Sequence, residues 1–407
     1  MSKPTSSGRR ALANVGGKAT AHGDPGDGAQ LAAILDAAQA EDADWLTHGF
    51  HSYPARMHPS VARGVLEAYA TPGDRVLDPF CGSGTVLIEA MVAGMRARGV
   101  DLNPIGVRLS GVKCQLRNEA SRAAFTTMLE QVVEVSKDRV RKRAPAMAPL
   151  SAKERAHYDV HVLKELAGLH DIIAAIDGGP DKAALQMLLT SIVVKFSKQR
   201  ADTSREGEGR APSKPRRIGK FVPSEFYGRK GQELVRRWAE LEAACPEDWH
   251  RPKIVEGNAH ALPEAMPPRW SGHLILTSPP YGGTYDYVQH HARRYPWLGV
   301  SVKSFERGEM GARRNFGGKG DRQRTKGWDA EVSAMLGSME SVLEDAGQIV
   351  LLMGDGEVAD RRVDVVPQLQ RLGGAVGLRV AAWASQRRVD WKGGKPRGEH
   401  LVLLRRV

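Results

Sequence analysis

Cysteine is scarce in this chain. Its 407 residues include three, Cys81, Cys114 and Cys245. Their spacing matches no metal site, and an odd number argues against a disulfide framework. A reducing, cytoplasmic setting with no bound metal is the expectation. Aromatic residues are few as well, 6% of the chain, so each one beside a motif carries weight. No apolar run reaches the roughly 18 residues that a membrane helix needs, and no apolar signal-peptide core opens the chain. Neither a membrane span nor export is expected. Acidic residues are outnumbered, 47 Asp and Glu against 59 Lys and Arg, a formal net charge of +12. That excess favours a polyanionic partner, most simply nucleic acid.

What is present is an alternation of short apolar runs and helical segments. Residues 1 to about 28 are rich in Gly, Ser, Ala and Thr and read as a mobile tail, followed by a short helix from Ala29 to Gln39. Pro59 opens a helix that runs to Tyr69. Strands are predicted at Arg75–Asp78, Ala97–Val100, Lys253–Glu256, His273–Leu276 and Gln348–Met353, with helices at Thr85–Ala93 and Pro104–Leu116. Two last strands, Arg379–Val389 and Glu399–Leu404, pair as a hairpin. The pattern predicts an α/β fold with a mostly parallel, doubly wound sheet of seven strands. Residues 41–118 and 251–407 form its core domain, after a flexible tail over 1–40. Residues 119–250 are a helical, basic insertion and a candidate target-recognition region.

Two motifs sit at strand ends. Asp78-Pro-Phe-Cys-Gly-Ser-Gly-Thr85 follows one strand and opens a helix. Gly82 and Gly84 permit a tight turn and close backbone approach. Asp101 ends the next strand, where a carboxylate can accept from ribose hydroxyls. Together they predict a nucleoside cofactor. A pyrophosphate cofactor fits less well, because Leu87 stands where a dinucleotide fingerprint has its third glycine. Asp78 suits an ammonium better than a phosphate. Cys81, inside this loop, reads as packing. The second motif, Thr277-Ser278-Pro279-Pro280-Tyr281, ends the strand His273–Leu276. The prolines fix their own φ and remove two donors while their carbonyls remain as acceptors. An extruded base can donate an amine N–H to Ser278 and Pro279 and stack on Tyr281.

Asp-Pro-Phe-Cys-Gly-Ser-Gly-Thr with a later Ser-Pro-Pro-Tyr resembles the DNA amino-methyltransferases, class I Rossmann-like enzymes that use S-adenosylmethionine. The resemblance covers about residues 45–118 and 250–405. Ser-Pro-Pro-Tyr is similar to the N4-cytosine branch; Asp- or Asn-Pro-Pro-Tyr is more usual for N6-adenine enzymes. The resemblance implies a catalytic turn at Ser278, Pro279, Pro280 and Tyr281. It assigns Asp78, Phe80, Gly82, Gly84 and Thr85 to the cofactor and Asp101 to its ribose. Tyr53 and Pro54 lie in a segment similar to the motif that closes over the methionine end. The chain departs from the family at Asn258, which stands where an acidic residue often meets the adenine amine; the resemblance implies that its side-chain carbonyl takes that role in binding the cofactor. It departs also in motif order, since many N4-cytosine enzymes carry the catalytic motif first. C5-cytosine chemistry needs a Pro-Cys pair, and no cysteine here has that setting.

Past the catalytic turn, Tyr285, Asp286 and Tyr287 either shape the pocket wall and touch DNA or start a helix with Asp286 as its cap. His290-His291 and Arg293-Arg294 read as a solvated or phosphate-facing surface. Two Gly-rich basic stretches, residues 195–230 and 313–326, suit phosphate tracking and guanine readout. Arg200, Arg216, Arg217, Arg313 and Arg314 are their candidate contacts. The expected activity is site-specific methylation of cytosine N4 in double-stranded DNA with the target base flipped out, alone or beside a restriction or phage-defence component. N6-adenine methylation, an RNA guanine-N2 activity and an inactive nucleic-acid-binding module are the alternatives.

Overall fold

The computed structural model describes residues 17–198, 218–283, 286–316, 322–358, 361–388 and 397–407. Ten strands occur among them, in chain order β1 (Thr20–Gly23), β2 (Arg75–Asp78), β3 (Arg96–Asp101), β4 (Lys253–Glu256), β5 (Gly272–Thr277), β6 (Leu343–Gly354), β7 (Gly356–Val358), β8 (Arg361–Val363), β9 (Leu378–Arg388) and β10 (Arg397–Arg406). Eight of them form one sheet in the order β1-β9-β10-β6-β5-β2-β3-β4, and β7 pairs with β8 alone. Strands β2 to β6 run parallel, whereas β10 is antiparallel to both β6 and β9. This is the class I methyltransferase strand order, with one strand added at the edge. The chain doubles back between β2 and β5, so the C-terminal ends of those strands open a crevice at a topological switch point.

The added strand corrects two expectations. The sheet has eight strands rather than seven, and Thr20–Gly23 is not tail. Its residues pair antiparallel with β9, Thr20 opposite Ser385 and Gly23 opposite Ala382. Gly23 adopts φ +83°, and a Cβ there would fall 2.5 Å from the Ala381 carbonyl oxygen. Only glycine fits. Asp24 then caps helix α1 (Pro25–Ala38), its carboxylate accepting from the Gly26 and Asp27 N–H groups.

The apolar side chains divide into two clusters. One surrounds the sheet and includes α1, α2 (Pro59–Tyr69) and α3 (Thr85–Val92), with Leu77, Leu87, Leu276 and Leu351 fully buried. The other fills the insertion. It joins α4 (Pro104–Lys113) to α5 (Glu119–Arg141), α7 (Val160–Ala174), α8 (Pro180–Val193) and α9 (Val222–Ala244), which follow the single turn α6 (Ala152–Arg155). Trp238 and Phe125 meet edge to face at 5.1 Å in its middle. The helices of residues 119–250 therefore seat directly on α4, the helix that follows Asp101. No helix among the described residues is long and apolar enough to cross a membrane.

Candidate active site

The turn from β2 into α3 is built for close approach. Gly82 and Gly84 have φ of +45° and +82°, values that side chains rarely tolerate. A Cβ on Gly82 would lie 3.0 Å from the Tyr53 ring, and one on Gly84 2.9 Å from Ser110 Cβ. Leu87, in place of a third glycine, is accommodated by a glycine elsewhere. On β3, Gly99 leaves room for Leu87 and Cys81, which a Cβ would meet at 2.7 and 2.9 Å. Cys81 is packing, and burial holds its thiol well above the usual range.

Two carboxylates flank this turn. Asp101 Oδ2 accepts from the Gly82 N–H and Oδ1 from the Asn103 N–H, each at 2.7 Å. Asp78 Oδ1 accepts from the Thr277 hydroxyl at 2.6 Å and from the Phe80 N–H at 3.2 Å. Burial pushes Asp78 up to about 7 against the pull of those hydrogen bonds. It raises Asp101 to about 6. Both are poised to gain from a cationic or hydroxyl-bearing ligand.

A crevice with about 810 Å³ of atom-free space, solvent at its mouth included, opens there. Asp78, Phe80, Gly82, Thr85 and Asp101 line one side, and Asn258, Ser278 and Pro280 line the floor near the strand ends. Tyr53 and Met57 close a second side. Glu309 and Met310 form the outer wall, with Tyr287 beside them. Tyr53 Oη accepts from Asn103 Nδ2 at 3.2 Å, and Asn103 Oδ1 accepts from the Tyr295 hydroxyl, also at 3.2 Å. Asn103 also caps α4 through the Ile105 N–H. One asparagine thus fixes a helix start, the Tyr53 wall and the buried Tyr295 behind it.

Residues 50–194 match the family model UPF0020, the RMKL-like methyltransferase domain. Type II methyltransferase M.MjaII of Methanocaldococcus jannaschii is 32% identical over 92 residues, 22% of this chain and 17% of that protein. Type II methyltransferase M.BsoBI of Geobacillus stearothermophilus is 22% identical over 277 residues, 63% of this chain and 53% of that protein. The tRNA (guanine(10)-N2)-dimethyltransferase of Methanothermobacter thermautotrophicus is 46% identical over 52 residues, 12% of this chain and 16% of that protein. The chain thus spans from under a fifth to about half of these relatives' lengths.

The cofactor is S-adenosylmethionine. The residues present fit it. Besides the two acids, the buried hydroxyls Ser83 Oγ and Thr85 Oγ1 line the crevice with no hydrogen-bond partner, ready for a polar ligand. Asn258 Oδ1 already accepts from the His260 N–H at 3.0 Å, so an adenine amine would share that oxygen. Gly84 and Pro54 lie behind the wall rather than on it.

The Ser-Pro-Pro-Tyr turn divides. Ser278 and Pro280 line the crevice, whereas Pro279 and Tyr281 do not. Tyr281 was expected to offer a stacking face; its ring is 2% exposed and packs into the sheet core. Arg314, expected on phosphate, is committed internally: Nη1 donates to Asp286 Oδ1 at 2.7 Å and to Glu309 Oε2 at 2.5 Å. The His290–Arg294 surface is also corrected. His291 and Arg294 are 0% and 1% exposed, and the His291 ring lies 5.0 Å from that of Tyr53. Asp286 precedes a short helix, Tyr287–His291, without a side-chain cap bond. Arg200, Arg216, Arg217 and Tyr285 lie outside the described residues, as does the Arg313 side chain. Of the residues that sequence reasoning did not name, Met57 lies in the segment already marked by Tyr53 and Pro54, whereas Glu309, Met310 and Asn103 belong to no spaced motif. Asn103-Pro104 was the one available signal, a cap before a helix-opening proline.

Proposed function

We propose that this protein methylates the exocyclic N4 amine of cytosine in double-stranded DNA at a specific sequence. One observation carries the reading: Ser278 and Pro280 border the same crevice as Gly82 and Asp101. A strand-ending Ser-Pro-Pro-Tyr turn therefore adjoins the cofactor turn on the neighbouring strand. The similarity to two type II methyltransferases and the net charge of +12 support it.

The cofactor supplies a methyl group on a positively charged sulfonium, so no strong base is needed before transfer. The amine of cytosine is a weak nucleophile because its lone pair is delocalised into the ring. Ser278 Oγ, which lines the crevice, accepts from that amine and draws it towards a tetrahedral form. Asp101 holds the ribose hydroxyls and Asp78 the ammonium. Positioning then supplies much of the rate. Reaching this crevice requires the base to leave the duplex. Arg200, Arg216, Arg217, Arg313 and Tyr285 are the proposed nucleic-acid contacts, and a restriction or phage-defence component is a candidate partner.

The test is expression in a methylation-deficient host, followed by mass spectrometry of nucleosides from DNA and RNA. N4-methylcytosine in DNA is expected. The stretch 46% identical to the tRNA dimethyltransferase favours guanine-N2 methylation of RNA as the second reading. A modification confined to RNA would overturn the first. N6-methyladenine in DNA would retain the chemistry and replace the base.

A further inference from the structure

We propose that Arg314 is a positioning residue for the cofactor, acting through Glu309 to hold the strap Gly308–Gly311 across the crevice. The strap runs from one end of the site to the other. At its start, a Cβ on Gly308 would meet Leu102 Cδ2 at 2.6 Å, and Asn258 Nδ2 is 3.9 Å away. At its end, the Gly311 carbonyl accepts from the Gly283 N–H at 3.1 Å, just past the catalytic turn. Glu309 and Met310 between them are each 4% exposed, and both line the crevice.

One guanidinium ties the strap to its neighbours. Besides its bonds to Asp286 and Glu309, Arg314 Nη2 donates to the Glu306 carbonyl at 2.6 Å. It joins three points of the segment 286–314. Glu309 Oε1 accepts in turn from the Tyr287 N–H at 2.5 Å, and Tyr287 lines the crevice and lies 6.3 Å from the Tyr53 ring. Thus Arg314 ties the outer wall to the aromatic wall without facing the crevice itself. The Gly311 N–H, bonded to Glu331 Oε2 at 2.9 Å, is a separate fastening at the far end.

The charge arrangement makes the arginine hard to replace. Two buried carboxylates, Asp286 and Glu309, share this one cation. Without it they repel each other in a poorly solvated place, and the cost of an uncompensated buried charge is large. Relief comes by moving the strap, either into the space the cofactor edge would occupy or away from contact with it. Lysine keeps the charge but has no planar fork to reach both acids and the Glu306 carbonyl together.

The inference rests on the cofactor assignment and is independent of which base is methylated. The experiment is calorimetric titration of S-adenosylmethionine and S-adenosylhomocysteine into the wild type and into Arg314→Gln, Arg314→Lys and Glu309→Gln, well below each melting temperature. The expected result is about tenfold weaker binding for Arg314→Gln, a change of about 1.4 kcal/mol, with smaller losses for the other two. A merely structural role would lower the melting temperature and leave the dissociation constant unchanged. Wild-type affinity in a cooperatively melting Arg314→Gln protein would overturn the proposal. If that variant does not fold, Arg314→Lys decides the matter in the same way. A wild type that binds neither ligand would overturn the cofactor site and this proposal together. An unexpected base in the mass spectrometry would leave the proposal standing.

Discussion

Tyr281 Oη lies 3.1 Å from Glu399 Oε1, and the two side chains are 2% and 0% exposed. The aromatic residue of the catalytic turn is therefore held by a carboxylate on β10, two strands away. Gln386 Nε2 donates to the other oxygen of Glu399 at 3.4 Å. Tyr281→Phe removes the hydroxyl while keeping the ring. It is expected to destabilise the protein by about 1–3 kcal/mol, the cost of depriving a buried polar group. Denaturant melts would show it. Tyr281→Ala, which also empties the ring's place in the sheet core, should cost more, about 3–5 kcal/mol.

Ser278→Ala should lower kcat by about tenfold, the worth of one well-placed hydrogen bond. The dissociation constant of S-adenosylmethionine should stay near that of the wild type, because Ser278 is assigned to the amine. A loss confined to cofactor binding would move Ser278 to the other half of the site.

The Asp78 carboxyl, pushed up to about 7 by burial, links pH to both stability and binding. Its unfolded value is near 4, so the folded state holds the extra proton between about 4 and 7. On this account the stability of the free protein declines as pH rises through that window. An ammonium beside Asp78 favours the ionised form. Binding of S-adenosylmethionine should then release protons below pH 7, and affinity should rise as pH climbs from 6 to 8. Titration in buffers of different ionisation enthalpy measures the release. Asp78→Asn should abolish that proton release. Release as large as in the wild type would assign the proton elsewhere.

Gly82→Ala tests the close approach of the cofactor turn. The new methyl group meets φ of +45° and the Tyr53 ring at 3.0 Å. Left-handed backbone costs a non-glycine residue about 1–2 kcal/mol. Displacement of Tyr53 should weaken S-adenosylmethionine binding by about tenfold. Unchanged affinity would show that the Tyr53 wall is not part of the cofactor site.

Much of this was legible where local chemistry and long-range structure agree. Strands β2 to β6 lie within a few residues of the apolar runs that announced them, and the glycine turn between β2 and α3 bears the positive φ values that two glycines there suggest. Strand β1 was not legible. Thr20–Gly23 has no apolar alternation and is exposed throughout, and its pairing comes entirely from an edge formed more than 350 residues later. Asp24-Pro25 did mark the start of α1, four residues earlier than expected. Arg314 was misread for a related reason. In a basic stretch an arginine looks like a phosphate ligand, and only the fold brings Asp286 and Glu309 to it. His291 likewise sits beside arginines in sequence and beside Tyr53 in space. Tyr281 shows the limit for the site: its motif marks the turn, but the buried Glu399 that turns its ring inward arrives from β10.

Strand β1 also protects the molecule from itself. Without it, β9 would present a free row of N–H and C=O groups over Ala382–Ser385, beside the buried Ala382 and Ala384. Exposed strand edges of that kind recruit other strands. Asp27, just past β1, is bonded by Arg405 at 2.7 Å, which fastens the cover to the last strand. A version of the chain starting at Pro25 would keep every residue of the crevice and yet be prone to self-association, so purification tags and truncations belong upstream of Thr20.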